Sequence, residues 1–307
     1  MKLLEVAAPD FDLALTLDSG QTFHWEPLGK GFVGAIRERA VYVEQCGKIL
    51  KVRDGAVRDA KQRPGFQTPS PALGTSALPS VVARYFSLDH PLAEICASLP
   101  NDPAMQAASG YCRGLRIMRQ PLWECLATFI TSSMKQVAHI RQISQALRQR
   151  YGQAAMIDGT HVHAFPAAEI LSEATETELR ACGLGYRAKN LLATAQRLAN
   201  GEADLEAWRE LPDEELRAQL CALPGVGTKV ANCVMLFAYE RLRAFPIDVW
   251  VERVLREKYF PRRRKFRPGE LQRFSAQYFG EHGGYAQQYL FHHARKTSPR
   301  RLSPRQR

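Results

Sequence analysis

The sequence lacks the features of a membrane protein, a disulfide scaffold or a metal-cluster protein. No stretch stays apolar for the roughly 18 residues that a helical bilayer span needs. The seven cysteines, at 46, 96, 112, 125, 182, 221 and 233, form no CxxC pair and are odd in number, so free thiols in a reducing compartment are expected. None follows Cys233, which excludes a four-cysteine iron–sulfur cluster in the C-terminal region. Neither a GxGxxG nor a GxxxxGK phosphate loop occurs, and no internal repeat is visible. The first ten residues are too short and too acidic for a secretory leader. The protein is expected not to be secreted: it would work in the cytoplasm or nucleoid of a bacterium, or in the nucleus of a eukaryote.

Basic charge is abundant. Lysine and arginine outnumber aspartate and glutamate 42 to 31 in 307 residues, a net charge of +11. The excess clusters in Arg262-Arg263-Arg264-Lys265-Phe266-Arg267 and in the stretch from Arg295 to Arg307, which fits a polyanionic partner such as nucleic acid. Residues 296–307, broken by Ser298, Pro299, Ser303 and Pro304, suggest a basic disordered tail. With 45% hydrophobic residues the chain can bury a sizeable core, and its length suggests about two domains.

Patterning divides the chain. Phe11 to Leu17 alternates apolar and polar residues and suggests a strand ending at Asp18-Ser19-Gly20. Gly31–Ile36, Ala40–Val43 and Lys48–Val52 continue in that manner, and residues 54–79, rich in Pro, Gly, Ser and Thr, suggest a surface loop. Beyond about residue 80 the period becomes helical, with clear helices over 122–130, 137–147, 167–182, 189–198, 213–220, 230–239, 249–258 and 269–279. The expected class is α+β: an N-terminal antiparallel β-sheet domain over 1–100, then a mainly helical domain over 101–295. Two helical lobes with the active site between them are expected in the latter.

One region carries chemistry. Leu223-Pro224-Gly225-Val226-Gly227 forms a tight turn between two helices, and Thr228-Lys229 starts the second. Gly225 and Gly227 let the turn take left-handed angles and let a ligand approach the main chain, so its amides and the helix start suit a phosphate. An ordinary αα-hairpin carries the same turn. Lys229 lies where the macrodipole disfavours a cation by only ~0.3–1 kcal/mol. A nucleophilic amine must be neutral, so burial has to supply the remainder. Asp248, after Pro246, stands at the N-cap of the next helix; it is either a plain cap or an ionised carboxylate that stabilises positive charge on a sugar ring.

At these residues the chain resembles the helix-hairpin-helix DNA glycosylase superfamily, and within it the 8-oxoguanine DNA glycosylase/AP lyases. The resemblance extends to Ser19-Gly20-Gln21-Thr22-Phe23-His24-Trp25, Gly114 to Pro121, Glu124-Cys125-Leu126, Phe129 to Ser133, Gly183 to Ala188 and Tyr285 to Phe291. It implies that Lys229 attacks the sugar C1′ and forms a Schiff base, with Asp248 as the essential carboxylate and β-elimination following. It implies that Gly20 offers its carbonyl to the N7 hydrogen of a flipped 8-oxoguanine. Gln287 would bind the Watson–Crick edge, and Cys233 and Phe291 would sandwich the ring. Tyr186 would wedge the duplex, Arg187 would contact the orphaned cytosine, and Ser133, Gly225 and Gly227 would lie against DNA. No cofactor is implied beyond a monovalent cation at the hairpin, and the partner is double-stranded DNA containing an oxidised purine, bound by a monomer without a membrane.

Three positions depart from the family pattern: Met134 replaces an asparagine, His139 an arginine, and Trp250 a phosphate-contacting histidine. Met134 can plug a vacated space but cannot donate to a base edge, so a looser preference for cytosine opposite the lesion is expected. The alternatives are another glycosylase of the superfamily or a non-catalytic DNA-binding hairpin. Endonuclease III types carry cluster cysteines absent here, alkylation-repair enzymes generally lack the lysine, and a binding module needs neither Lys229 nor Asp248.

Overall fold

The structure, a computed structural model, describes residues 3–57, 77–132 and 136–297. Five strands, β1 (Leu4–Ala7), β2 (Glu26–Leu28), β3 (Gly31–Ile36), β4 (Arg39–Cys46) and β5 (Ile49–Asp54), form an antiparallel sheet in the order β1-β5-β4-β3-β2. Alternation along β4 sends Val41 and Val43 to one face and Ala40 and Tyr42 to the other. The first face packs on Trp25, Phe86 and α2 (Leu78–Tyr85), the second on Ala155, Ile157 and Val162.

The segment Phe11–Leu17 is not a strand. Leu13–Asp18 forms a short helix, α1, because Asp12 caps it by accepting from the Leu15 amide at 2.8 Å. Leu13, Thr16 and Leu17 then share one buried face at helical spacing, and each buried leucine contributes ~1.5–3 kcal/mol. The stretch assigned to a loop from residue 54 is not wholly one. Ala56–Val57 (β6) pairs with β7 (Ala154–Ile157), which pairs with β8 (Thr160–His163), so a hairpin from the helical part covers the sheet.

The helices are α3 (Leu92–Ser98), α4 (Pro103–Tyr111), α5 (Leu122–Ser132), α6 (Val137–Tyr151), α7 (Ala168–Ser172), α8 (Glu176–Leu179), α9 (Arg187–Ala199), α10 (Asp213–Cys221), α11 (Thr228–Phe237), α12 (Val249–Val254), α13 (Glu270–Phe279) and α14 (Gly283–Thr297). The single helix expected over 167–182 is divided, because Thr175 and Glu178 form a reciprocal capping box that starts α8 afresh. Leu92, Ile95 and Leu99 already pack in the helical core, ahead of residue 100. Lys296 and Thr297, expected in the tail, complete α14, where Lys296 pairs with Asp18.

α14 itself escaped the periodicity because it is buried almost all round: Tyr285, Ala286, Gln287, Gln288, Tyr289 and Leu290 are consecutive buried residues. Its Gly283-Gly284 start also reads as a breaker. A Cβ at Gly284 would lie 2.2 Å from Leu236 Cδ1, so glycine is what lets α14 dock on α11.

Candidate active site

The hairpin is built as its residues dictate, with one correction. Only Gly225 takes the left-handed conformation, at φ +80°; Gly227 is extended and serves as the N-cap of α11. A Cβ at Gly225 would lie 2.7 Å from Asn190 Cβ, so glycine there admits α9 rather than a ligand. Nothing lies within 4 Å of the corresponding position at Gly227, which leaves that side of the turn open. α9 grips the hairpin further through Thr194, which donates to the Pro224 carbonyl at 3.0 Å, and Arg197, which donates to that of Ala222 at 3.0 Å. No side chain caps α11, so its first amides are free to donate to an anion.

Lys229 rises from the first turn of α11, half-buried, with Nζ 5.1 Å from the centre of the Phe129 ring. Phe129 is fixed by stacking on Phe237 at 5.5 Å and by the edge of Phe23 at 6.3 Å, which links the β-part to the lysine. Cys233 lies one turn along α11 from Lys229; burial pushes its thiol up to about 11, partly offset by the neighbouring amine. Burial holds the Cys125 thiol well above its ordinary value, again with Lys229 pulling the other way. Both sulfurs are therefore neutral at physiological pH, and Asp248 is a charged group that acts on the amine.

Asp248 is the N-cap of α12, accepting from the Val251 amide at 2.8 Å. Capping was expected to keep it firmly ionised. Burial is instead the largest influence and raises its pKa, against the lowering effects of the Val251 amide, Lys229 and the Trp250 amide. The carboxylate stands in a low-dielectric position where its charge acts strongly on a nearby cation.

Gly20, Gln287 and Phe291 form a second group. Gly20, at φ +87°, would place a Cβ 3.1 Å from Phe291 Cε1, so its main chain faces the Phe291 ring. Gln287 and Phe291 lie one turn apart on α14; the Gln287 Oε1 is buried without a hydrogen-bond partner. Among the described residues no hydrogen bond, ion pair or ring contact joins Gln287 or Phe291 to Lys229, Cys233 or Asp248.

Of the residues expected at DNA, Tyr186 is 57% exposed and His139 is exposed on α6. Arg187 is buried, lying 4.4 Å from the Tyr186 ring and donating to the Leu184 carbonyl at 3.3 Å. Trp250 is half-buried beneath Arg253, 5.2 Å from its ring. Ser133 and Met134 lie outside the described residues. Among the described residues no group of three His, Cys, Asp or Glu side chains could hold a metal ion, and no helix is long and apolar enough to cross a membrane.

Sequence reasoning missed the supports of this site. Gln21 and Gln120, both buried, hold the Gly20 loop, and the Gln120 amide donates to Phe237 at the end of α11 at 2.7 Å. Their only sequence signal was membership of the segments flanking Gly20 and Pro121. Glu124 and Arg148 form a buried ion pair beside His24, which burial and Arg148 hold well below its ordinary pKa and therefore neutral.

Residues 3–126 match the model of the 8-oxoguanine DNA glycosylase N-terminal domain, and residues 127–277 that of HhH-GPD superfamily base excision DNA repair proteins. Gln287 and Phe291 lie beyond both spans. An Arabidopsis thaliana N-glycosylase/DNA lyase OGG1 is 30% identical over 302 residues, covering 94% of this chain and 78% of that one. The apo form of Clostridium acetobutylicum 8-oxoguanine glycosylase/lyase superposes with a TM-score of 0.83 at 29% identity, covering 95% and 96% of the two chains. The same Clostridium protein in complex with double-stranded DNA containing cytosine opposite 8-oxoG gives 0.81 at 29% identity, covering 96% and 99%. Sequence along nearly the whole length and fold agree, and the chain belongs to the 8-oxoguanine DNA glycosylase family of helix-hairpin-helix base excision repair proteins.

Proposed function

We propose that this protein is a bifunctional DNA glycosylase/AP lyase that excises 8-oxoguanine from duplex DNA, with Lys229 as nucleophile and Asp248 as the charge that stabilises the reacting sugar. The observation that carries the reading is the amine of Lys229 set over Phe129 among neutral thiols, with the half-buried Asp248 carboxylate as its nearby counter-charge. As the bond from C1′ to the base nitrogen breaks, its electron pair leaves with the base and positive charge develops on the sugar. Asp248 lowers the energy of that charge, and the amine forms the new bond to C1′. Opening of the sugar gives a Schiff base, and loss of a C2′ proton then expels the 3′ phosphate.

The base would be taken from the stack into the space between Gly20, Gln287, Phe291 and Cys233. The Gln287 Oε1 supplies an acceptor that is already desolvated and unpaired, so it gains a full hydrogen bond from an N–H on the Watson–Crick edge. Tyr186, exposed at the start of α9, suits the wedge; Arg187 would reach the opposite base only by leaving its stack on Tyr186. The open face at Gly227 and the uncapped start of α11 would take a backbone phosphate. A monovalent cation would rest on hairpin carbonyls other than those of Ala222 and Pro224, which accept from Arg197 and Thr194. A single copy supplies every group named, and its workplace is wherever the cell keeps its DNA.

Borohydride trapping on a duplex containing 8-oxoguanine tests the reading. A covalent adduct with the native protein, lost in Lys229→Gln while DNA binding persists, is the expected result. Excision without an adduct would remove the lyase, and neither excision nor adduct would leave only a binding hairpin.

A further inference from the structure

Gly20 sits in a run of carbonyls that are almost all occupied. The Asp18 carbonyl accepts from Arg295 Nη2. The Ser19 carbonyl accepts from Gln288 Nε2 at 2.8 Å, and the Gln21 carbonyl from Gln120 Nε2 at 2.8 Å. Among the described residues none donates to the Gly20 carbonyl. The three donors are buried or part-buried side chains from distant parts of the chain, two on α14 and one ahead of α5.

The Gln21 side chain locks the loop from within. Its Nε2 donates to the Arg116 carbonyl and to Ser19 Oγ, each at 2.9 Å, while its Oε1 accepts from the Met118 amide at 2.9 Å. Gln120 then reaches both ways: its side chain holds Gln21, and its backbone amide donates to Phe237 at 2.7 Å, at the end of the helix that begins beside Lys229. Gln288 adjoins Gln287 on α14, so the residue that holds the loop is next to the one whose Oε1 is buried and unpaired.

We infer that Gln120 and Gln288 are specificity-determining positioning residues: they clamp the carbonyls on either side of Gly20 and so aim its free carbonyl at the base whose sugar Lys229 attacks. This rests on the reading that Gly20 senses the N7 hydrogen of 8-oxoguanine. The physical reason is register. A carbonyl that must tell an N–H from a lone pair acts through a hydrogen bond whose strength falls steeply with distance and angle. Gly20, at positive φ, has no side chain of its own to fix its carbonyl, so its neighbours must do so. The clamp supplies that rigidity from two sides and ties it to the nucleophile helix.

Single-turnover excision of 8-oxoguanine, excision of guanine, and borohydride trapping on an abasic duplex should be compared for the native protein, Gln288→Glu, Gln288→Met and Gln120→Glu. Glutamate keeps the shape and replaces the donor by an acceptor; methionine keeps the packing and removes the polarity. The expected result is at least a tenfold loss of 8-oxoguanine excision, and a lower ratio of 8-oxoguanine to guanine excision. Trapping on the abasic site, which needs no base, should stay within about twofold of native. Trapping also shows that a variant is folded, and Gln288→Met keeps the test open if a charged variant is not. The inference is overturned if the variants that trap normally also excise normally, or if excision and trapping fall together in all of them. If the native protein itself does not prefer 8-oxoguanine to guanine, the Gly20 reading fails first, and that result is separate from the clamp.

Discussion

Asp248→Asn separates two roles that one side chain performs. As a cap, Asp248 makes a single hydrogen bond of 2.8 Å to the Val251 amide, and an asparagine oxygen can accept the same bond. Asn and Asp are nearly equivalent caps, so the cap contribution changes by a few tenths of a kcal/mol. As a charge, Asp248 is raised in pKa by burial, so the folded chain holds that proton more tightly than the unfolded chain does. Stability linked to this group is therefore greatest below the unfolded value near 3.9 and declines as pH rises through the raised folded value. The neutral amide removes that decline. The expected melting temperature at pH 7 is thus unchanged within about 2 °C, or higher.

Activity should respond quite differently. Losing a preorganised charge at the developing positive centre costs ~3–4 kcal/mol, roughly 10²–10³ in rate. The native enzyme should also lose activity as pH falls, with a midpoint above the ordinary aspartate value. Asp248→Ala is the control, losing the cap as well and about 1 kcal/mol of stability. Thermal melts and single-turnover excision measure the two roles. A clear drop in melting temperature for the asparagine variant with little change in rate would refute the argument, since Asp248 would then be only a cap.

Three further outcomes follow from the same geometry. Gly20→Ala forces a side chain to φ +87°, costing ~1–2 kcal/mol, and places its Cβ 3.1 Å from Phe291; melting should fall and 8-oxoguanine excision should drop more than abasic-site trapping. Gly225→Ala meets Asn190 at 2.7 Å at positive φ and should destabilise the protein by ~1–3 kcal/mol in a denaturant melt, whereas Gly227→Ala, extended and unobstructed, should keep stability and weaken DNA binding in a titration. Excision opposite C, A, G and T should show a weak preference for C, because Met134 and His139 cannot make the contacts of asparagine and arginine; a strict C preference would refute this.

The legible parts of this protein are those whose signals are local. The hairpin, the lysine at a helix start and the aspartate cap each follow from a few adjacent residues, and the structure places them as their sequence suggests. Where local signals compete, the reading fails: Phe11–Leu17 alternates like a strand, yet one cap at Asp12 and a buried face at 13, 16 and 17 make it helical. α14 is missed for the opposite reason, since a helix buried on all sides has no period to detect.

The same distinction separates chemistry from recognition. Lys229 and Cys233 share one helix, and Asp248 starts the next, so the reacting groups depend on one short stretch. The acceptor at Gly20 instead depends on Gln120 and Gln288, 99 and 269 residues from the groups they hold. A glutamine in a sequence looks like a surface amide until the fold buries it, and only then does each donor need the carbonyl that it finds. The amine can therefore be aligned by local folding, while discrimination requires the β-part, α14 and the nucleophile helix to be docked together. Loosening that docking should cost selectivity for the base before it costs the covalent step, which is the order in which variants of the clamp and of Lys229 are expected to fail.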